Sequence, residues 1–235
     1  MTDSLGFGVK VLVPASGVGV RFGGDTPKQF LRICGEPILK RTLEVLDKIS
    51  FIDEIVVAVP EGFIEEVKDY SFVGVSVIKG MPERSCSVYA ALKSIKPFDG
   101  VVLVHDGIRL FVTENMVRSV AMMAFERGAA LAVTPMIETV KVADDSGVVI
   151  DTPDRGRLWR AQTPQGFRFD LLKKAFEQAE DDGFLRHATD DSSLVERLGH
   201  PVHIVQGDSR NMKITTMQDF HLAQALFMSK DEWDT

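Results

Sequence analysis

The chain has 235 residues, of which 45% are hydrophobic and 26% are charged, and its formal net charge is −7. These values are typical of one large globular domain, and an acidic chain without a basic stripe argues against a nucleic-acid partner. There is no apolar run of roughly 18 residues, no basic leader at the start and only two distant cysteines, Cys34 and Cys86; we therefore expect no membrane partner, no signal peptide, no disulfide framework and a cytoplasmic location.

Apolar runs that are typical of strands alternate with stretches of helical periodicity along the first 135 residues. The predicted strands span residues 9–13, 55–59, 75–78, 101–104 and 129–135. The predicted helices span residues 37–49 and 87–95, and a third runs from an N-cap at Thr113 to Gly128. Because apolar strands joined by helices are typical of buried parallel sheets, we predict an α/β, Rossmann-like fold with helices on both faces of the sheet.

The pattern changes after residue 135. Residues 139–142 and 148–150 flank Asp144-Asp-Ser-Gly147, which predicts a hairpin. We therefore expect one domain over residues 1–235, with a small protruding β-arm at about 137–158 that serves a partner subunit. The chain returns through residues 158–164, helices from about Asp170 and Thr189, strands at 202–205 and 212–215, and a last helix with capping-box spacing at Thr216 and Asp219.

The loop after the first predicted strand combines glycines with cations. Its glycines are Gly17, Gly19, Gly23 and Gly24, and its cations are Arg21 and Lys28. Glycines let backbone N–H groups approach a ligand closely and cations balance negative charge, so the loop is interpreted as a polyphosphate cradle. Phe22 does not fit a dinucleotide-binding motif, and Asp25 stands where a P-loop has its lysine.

Further charged residues follow predicted strands. Asp106 and Arg109 come after strand 101–104, where open α/β sheets bind ligands. Asp106 could bind a metal ion or a ligand hydroxyl, and Arg109 could bind a phosphate. Alternatively, the two residues form an ion pair that only shapes the turn. Arg155 and Thr163 could face a ligand or belong to a purely structural loop. If Lys213 faces inward, it requires a charged partner such as a phosphate. If it lies on an edge strand, it is simply solvated.

Taken together, these segments resemble the 2-C-methyl-D-erythritol 4-phosphate cytidylyltransferase family from Val11 to about Leu226. The resemblance rests on the glycine loop and on the blocks 27–30, 84–88, 105–109, 158–165, 189–196 and 211–215. It implies a nucleotidyltransferase of non-mevalonate isoprenoid biosynthesis that joins CTP and 2-C-methyl-D-erythritol 4-phosphate, with release of pyrophosphate. It also implies a homodimer and a divalent metal, Mg²⁺, bound mainly through the CTP phosphates with Asp106 as a possible ligand.

The same resemblance implies roles for individual residues. The implied catalytic residues are Arg21, Lys28 and Lys213. The implied nucleotide-binding residues are Pro14, Ala15, Ser16, Gly17, Gly19, Gly80, Ser87, Asp106 and Gly107. The implied substrate-binding residues are Asp106, Arg109, Thr139, Arg155, Thr163 and Thr189, with Arg155 supplied by the partner subunit.

The sequence departs from the family pattern in three places. Ser16 replaces a small apolar or glycine-like residue, Met81-Pro82 replaces part of a Gly-Gly stretch, and Leu110 replaces a proline. The alternatives left open are a ribitol 5-phosphate cytidylyltransferase, a Rossmann oxidoreductase and a non-catalytic nucleotide-binding regulator. The ribitol 5-phosphate enzymes share the glycine loop and the Gln-Thr-Pro-Gln segment, whereas Leu158-Trp159 and block 189–196 favour methylerythritol phosphate.

Overall fold

A seven-stranded sheet organises the molecule in the computed structural model, which describes residues 4–17 and 26–229. The strands are β1 (Gly8–Pro14), β2 (Glu54–Val59), β3 (Val75–Lys79), β4 (Gly100–Val104), β5 (Ala129–Pro135), β6 (Trp159–Arg168) and β7 (His203–Gln206). Their spatial order is β7-β5-β6-β4-β1-β2-β3. All neighbouring pairs are parallel except those of β6, which runs antiparallel to both β4 and β5. The predicted mostly parallel α/β fold is confirmed.

Helices cover both faces of this sheet. They are α1 (Ile38–Asp47), α2 (Ile64–Lys68), α3 (Arg84–Ser94), α4 (Glu114–Arg127), α5 (Phe169–Asp181), α6 (Asp191–Arg197) and α7 (Met217–Met228). Alternate residues of β1 point to opposite faces, so Val11 packs with α1 and α4 while Leu12 packs with α3 and α5. A third, smaller cluster around Ile214 lies beneath α7 and includes Leu110, which is buried there.

Short elements complete the described chain. Two-residue strands Arg32–Ile33 and Glu36–Pro37 pair as a hairpin, and 3₁₀ turns span Lys28–Phe30, Glu61–Phe63, Arg155–Arg157 and Leu185–His187. Between β5 and β6, strands Val142–Ala143 and Val149–Asp151 pair antiparallel, which confirms the predicted hairpin with a shorter first strand and a second strand shifted by one residue. No helix in ranges 4–17 and 26–229 is both long and apolar enough to cross a bilayer.

Two predictions for the C-terminal third are wrong. Residues 212–215 form no strand, because their backbone bonds go to the loop after β4: Ile214 N–H donates to Ile108 O at 3.2 Å. Helix α6 is capped by Asp190 rather than Thr189, since the Asp190 side chain accepts from Ser193 N–H at 3.0 Å. The predicted capping box that begins the last helix is confirmed.

The carboxyl ends of the central parallel strands converge on one edge of the sheet. Ala15 N–H donates to Ala58 O at 2.8 Å, Gly80 N–H to Val59 O at 2.7 Å, and His105 N–H to Leu12 O at 2.9 Å. The loops that follow β1, β3 and β4 are therefore held side by side. This edge is where open α/β sheets bind their ligands.

Candidate active site

Two adjoining cavities lie at the carboxyl edge of the sheet, with volumes of about 200 and 260 Å³. The first is lined by Pro14, Ala15, Ser16, Gly17, Lys28, Gln29, Pro82, Arg84, Asp106, Ile108 and Lys213. The second is lined by Arg84, Asp106, Arg109, Ala161, Gln162, Thr163, Gln165, Thr189, Asp190 and Lys213. Arg84, Asp106 and Lys213 line both, so one charged group of side chains separates two spaces suited to two ligands.

Asp106 is the centre of this group. Its carboxylate lies 2.9 Å from Arg84 Nε, 3.0 Å from Lys213 Nζ and 3.4 Å from Arg109 Nε. Burial alone would raise the pKa of Asp106, but Arg84, Lys213 and Arg109 outweigh it and hold the pKa well below its usual value. The carboxylate is therefore charged at neutral pH and gathers three cations at the junction of the cavities.

Arg84 extends the cluster to a second buried carboxylate. Its Nη1 lies 2.8 Å from Asp191 Oδ2, and Asp191 is 1% exposed. Burial lowers the pKa of Arg84, but the Asp191 and Asp106 carboxylates more than offset this and raise it. Three cations face two carboxylates, which leaves one excess positive charge. A local positive excess within an acidic molecule favours an anionic ligand.

His105 and Thr163 fix the loop that carries Asp106. His105 is fully buried, and burial lowers its pKa to about 4, so it is neutral near pH 7. Arg109 O can only accept a hydrogen bond, so His105 Nε2, 3.0 Å away, carries the proton. His105 Nδ1 then accepts from Thr163 Oγ1 at 3.1 Å, while Asp106 N–H donates to that hydroxyl at 3.0 Å. His105 therefore supports the loop instead of exchanging protons.

Asn211 joins the segment of Lys213 to the same loop. Its Nδ2 donates to Thr163 O at 2.7 Å, and its backbone O accepts from Arg109 Nη1 at 2.7 Å. Asn211 is fully buried. These bonds explain why the segment carrying Lys213 crosses the strand ends instead of pairing with the sheet, and they place the Lys213 amine beside Asp106.

A hydroxyl network lies on the other side of the first cavity. Ser16 Oγ is 2.7 Å from Ser87 Oγ and donates to Met81 O at 2.8 Å, while Met81 N–H donates to Ser87 Oγ at 2.8 Å. A Cβ on Gly80 would lie only 2.3 Å from Ser16 Cβ, so the two loops approach each other closely at a glycine. Two departures from the family pattern, Ser16 and Met81-Pro82, are thus in direct contact.

The structure brings most of the sequence-predicted residues together. On the cavity walls lie Pro14, Ala15, Ser16, Gly17, Lys28, Asp106, Arg109, Thr163, Thr189 and Lys213. Gly80, Ser87 and Gly107 lie directly behind the walls: Ser87 is fully buried, and a Cβ on Gly107 would meet Leu39 Cδ1 at 2.9 Å. Gly19 and Arg21 fall outside the described residues.

Thr139 and Arg155 are not brought to either cavity of this chain. Both are exposed on the β-arm, and Arg155 Nη1 donates to Ile137 O at 3.2 Å. The arm leaves the sheet between β5 and β6, where Ile137 and Ile150 are 68% and 63% exposed. The predicted contacts of Thr139 and Arg155 with a substrate therefore stay predictions.

Sequence reasoning did not assign roles to Arg84, Asp191, Asn211 or Gln29. Gln29 Nε2 donates to Ala15 O at 2.6 Å and to Gly17 O at 3.2 Å, and so braces the glycine loop. Arg84 and Gln29 stand in the blocks that carry the family resemblance, which is the signal that could have found them. Asp191 and Asn211 also stand in such blocks, 189–196 and 211–215, but an acidic residue in the first turn of a helix is common and by itself predicts no role.

The carboxylates of the site suit a metal that arrives on phosphates. Within the described parts of the chain, no three His, Cys, Asp or Glu side chains are grouped so that they could hold a metal ion. Asp106 is the carboxylate common to both cavities. Mg²⁺ is usually held by one or two carboxylates, several waters and substrate phosphates, so a single Asp at this position fits such an ion.

The sequence matches one known protein family along nearly its whole length. The family model described as 2-C-methyl-D-erythritol 4-phosphate cytidylyltransferase matches residues 9–229. A protein of that name from Geotalea uraniireducens is 45% identical over 94% of this chain and 97% of its own length, and one from Symbiobacterium thermophilum is 42% identical over 93% and 92%.

Solved structures agree in fold. A 4-diphosphocytidyl-2C-methyl-D-erythritol synthase from Anaerococcus prevotii superposes with a TM-score of 0.85 at 28% identity, covering 95% of this chain and 97% of that one. A 2-C-methyl-D-erythritol 4-phosphate cytidylyltransferase from Thermus thermophilus gives a TM-score of 0.78 at 34% identity, covering 93% and 98%.

Proposed function

Because this chain belongs to the 2-C-methyl-D-erythritol 4-phosphate cytidylyltransferase family, we propose that it carries out that transfer at the cluster centred on Asp106. It is a nucleotidyltransferase of non-mevalonate isoprenoid biosynthesis that joins CTP and 2-C-methyl-D-erythritol 4-phosphate to give the CDP-alcohol and pyrophosphate. The family resemblance noted in the sequence is confirmed. The observation that carries the site assignment is the pair of cavities that share Arg84, Asp106 and Lys213.

The reaction is governed by charge. A phosphate oxygen of methylerythritol phosphate attacks the α-phosphorus of CTP, and the bond to the departing pyrophosphate breaks. The attacking phosphate monoester is already anionic near neutral pH, since its second pKa is about 6, so no general base is required. At about 4 Å each pair of unit charges repels by roughly 4 kcal/mol at an effective dielectric of 20. The cations of the site must offset this repulsion.

The two cavities divide the reactants between them. CTP takes the first cavity, with its phosphates against the glycine loop and Lys28, and methylerythritol phosphate takes the second, where Arg109, Thr163 and Thr189 lie. Lys213, which lines both, serves the reacting phosphates. Charge that develops on the α-phosphate and on the leaving group is stabilised by cations already in place, which is the usual basis of phosphoryl and nucleotidyl transfer.

A divalent metal belongs to this scheme. Asp106 is the residue that would hold Mg²⁺, together with phosphate oxygens of CTP. When bound, the ion neutralises phosphate charge and acts as a Lewis acid toward the phosphate oxygens. Because Arg84, Arg109 and Lys213 contact both oxygens of Asp106, the ion would have to arrive with its phosphates and displace one of these contacts.

We also propose a homodimer built through the β-arm. The exposed apolar residues Ile137, Val148, Val149 and Ile150 give the arm a surface that a second copy of the chain can bury. In that dimer Arg155, and with it Thr139, reaches the substrate phosphate of the partner. We infer that residues 1–235 form a single domain with this arm, in the reducing cytoplasm, where Cys34 and Cys86 stay free.

Pyrophosphate release tests the assignment. The protein is incubated with Mg²⁺, each of the four nucleoside triphosphates in turn, and either methylerythritol phosphate or ribitol 5-phosphate. We expect release with CTP and methylerythritol phosphate to exceed every other combination by about 100-fold, because buried polar contacts discriminate strongly. Faster turnover of ribitol 5-phosphate, or CTP binding without release, would contradict the assignment. A titration with NAD(P)H that shows tight binding would instead support a dehydrogenase.

A further inference from the structure

A guanidinium clamped by two carboxylates lies at the junction of the cavities. Arg84 Nε contacts Asp106 Oδ1 at 2.9 Å, and Arg84 Nη1 contacts Asp191 Oδ2 at 2.8 Å. The Asp106 and Asp191 side chains are 6% and 1% exposed, whereas the Arg84 side chain is 28% exposed. Arg84 is therefore held from the protein side while part of it stays open to both cavities.

The Asp191 carboxylate has no evident role in folding the segment around it. The cap of α6 is Asp190, whose side chain accepts from Ser193 N–H. In the described ranges, the ion pair of Asp191 is with Arg84. A buried carboxylate is costly, and apolar residues of similar volume often replace such ion pairs without loss of stability. The Asp191 carboxylate is therefore better explained by the way in which it holds the Arg84 guanidinium.

The sheet fixes the position of Asp191. Gln165, which is on β6 and 2% exposed, accepts from Asp191 N–H at 3.1 Å and from Ser192 N–H at 3.0 Å through Oε1. Its Nε2 donates to Asp190 Oδ2 at 2.9 Å. The start of α6 is thus tied to a central strand, so that Asp191 offers Arg84 a rigid partner.

We propose that Arg84 is a further substrate-contacting cation, which grips phosphate oxygens where the two cavities meet, and that Asp191 is its positioning residue. With both carboxylates in place, Nε and Nη1 are engaged and the plane of the guanidinium is fixed. Without Asp191 the guanidinium can rotate about its contact with Asp106, so its remaining N–H groups are no longer directed at the substrate phosphate. This inference rests on the proposed function.

Kinetics of single and double variants test the proposal. Pyrophosphate release from CTP and methylerythritol phosphate is measured for the full-length wild type, Asp191→Asn, Arg84→Ala and the double variant. The matched control is Asp99→Asn, which breaks the exposed ion pair of Asp99 with Arg168. We expect Asp191→Asn to lower kcat by about 10- to 100-fold, as misplaced catalytic groups do, in assays run well below the thermal midpoints of both this variant and the control. We expect the double variant to be no slower than Arg84→Ala, because Asp191 acts through Arg84.

Rescue with guanidinium chloride at millimolar concentration separates positioning from a structural role. Added guanidinium should raise kcat of Arg84→Ala several-fold and leave the double variant unchanged. Wild-type kinetics in Asp191→Asn, additive losses in the double variant, or equal rescue of both Arg84 variants would overturn the proposal. If Asp191→Asn does not fold, Asp191→Glu, which keeps the charge but displaces it, must show the same loss of kcat. A wild type that releases no pyrophosphate would instead contradict the proposed function.

Discussion

Ser16 links the glycine loop to the loop before α3 by a single hydroxyl. It contacts Ser87 Oγ at 2.7 Å and Met81 O at 2.8 Å, at a place where the family pattern has a residue without a hydroxyl. In the loop before α3, Met81 and Pro82 stand where the family resemblance predicts part of a Gly-Gly stretch. The Ser16 hydroxyl therefore connects two positions at which the sequence departs from the expected family pattern.

Replacing that hydroxyl should weaken nucleotide binding. We expect Ser16→Ala to raise KM for CTP by about 3- to 10-fold, equivalent to about 1 kcal/mol for one lost hydrogen bond, and to leave KM for methylerythritol phosphate unchanged. Steady-state kinetics with each substrate varied measures both. Ser94→Ala, which loses one bond to Ala91 O on the same α3, is the control. An unchanged KM for CTP would show that the hydroxyl does not organise this loop.

His105 gives the molecule a predictable response to acid. Burial lowers its pKa to about 4, below the ordinary value of 6.5, so between these values the unfolded chain binds a proton that the folded protein does not. The contribution of His105 to the free energy of unfolding therefore falls as the pH falls from about 6.5 toward 4, with a limiting slope of about 1.4 kcal/mol per pH unit for one proton.

Urea denaturation at pH 7, 6 and 5 checks this response. We expect His105→Gln to be less stable than the wild type at pH 7 but to lose less stability on acidification. If the curves of the two proteins against pH are parallel, His105 is not the group responsible. Asp106 acts with the same sign at lower pH, because the three cations hold its pKa well below the usual value.

At the scale of elements, the regular core could be predicted from sequence because the central strands β1, β2, β4 and β5 are largely buried on both faces. The bounds of β5 agree with the prediction, and α4 begins at the predicted Thr113 cap and ends at Gly128. Residues 212–215 show the same apolar alternation but form no ladder. Ile214 satisfies the pattern by packing into the cluster beneath α7, a tertiary contact that a local pattern does not contain.

Part of the site was predictable because the carboxyl ends of parallel strands meet at one edge of the sheet. Asp106 and Arg109 lie in the loop directly after β4, so their position at this edge follows from the parallel topology. Arg84 and Asp191 are 107 positions apart, and their contact depends on Gln165, which holds the start of α6. Such a contact has no local signature. The role of Arg155 could be stated only from family resemblance, since its own chain places it away from both cavities.

The β-arm makes a test by complementation possible. In a dimer whose sites combine Lys213 of one subunit with Arg155 of the other, Arg155→Ala and Lys213→Ala are each defective in both sites. A heterodimer of the two variants has one intact site and one doubly defective site, so we expect about half of the wild-type activity. Co-expression with two affinity tags isolates it. Activity no higher than that of either parent would mean that Arg155 acts within its own chain or not at all.

The whole molecule carries a net charge of −7, yet it must hold two phosphorylated reactants. The charges of Arg84, Arg109, Lys28 and Lys213 are local, and the distant field of the protein opposes anion binding. We expect EDTA to lower pyrophosphate release by at least about 100-fold, and excess Mg²⁺ to restore it, because these four cations alone do not supply the positive charge that a divalent metal brings to the phosphates. Full activity in metal-free buffer would remove the metal from the scheme.

The rate of pyrophosphate release by Lys213→Ala tests most directly whether the shared cations join the two reactants. Lys213 Nζ lies 3.0 Å from Asp106 Oδ2 and its side chain is 38% exposed, so its loss should cost turnover more than folding. Lys68→Ala, which breaks the exposed ion pair of Lys68 with Glu65 on α2, is the control. We predict that Lys213→Ala, and in parallel Lys28→Ala, lowers kcat by about 100-fold or more at an unchanged thermal midpoint. Turnover near that of the control would contradict a reaction centred between these cavities.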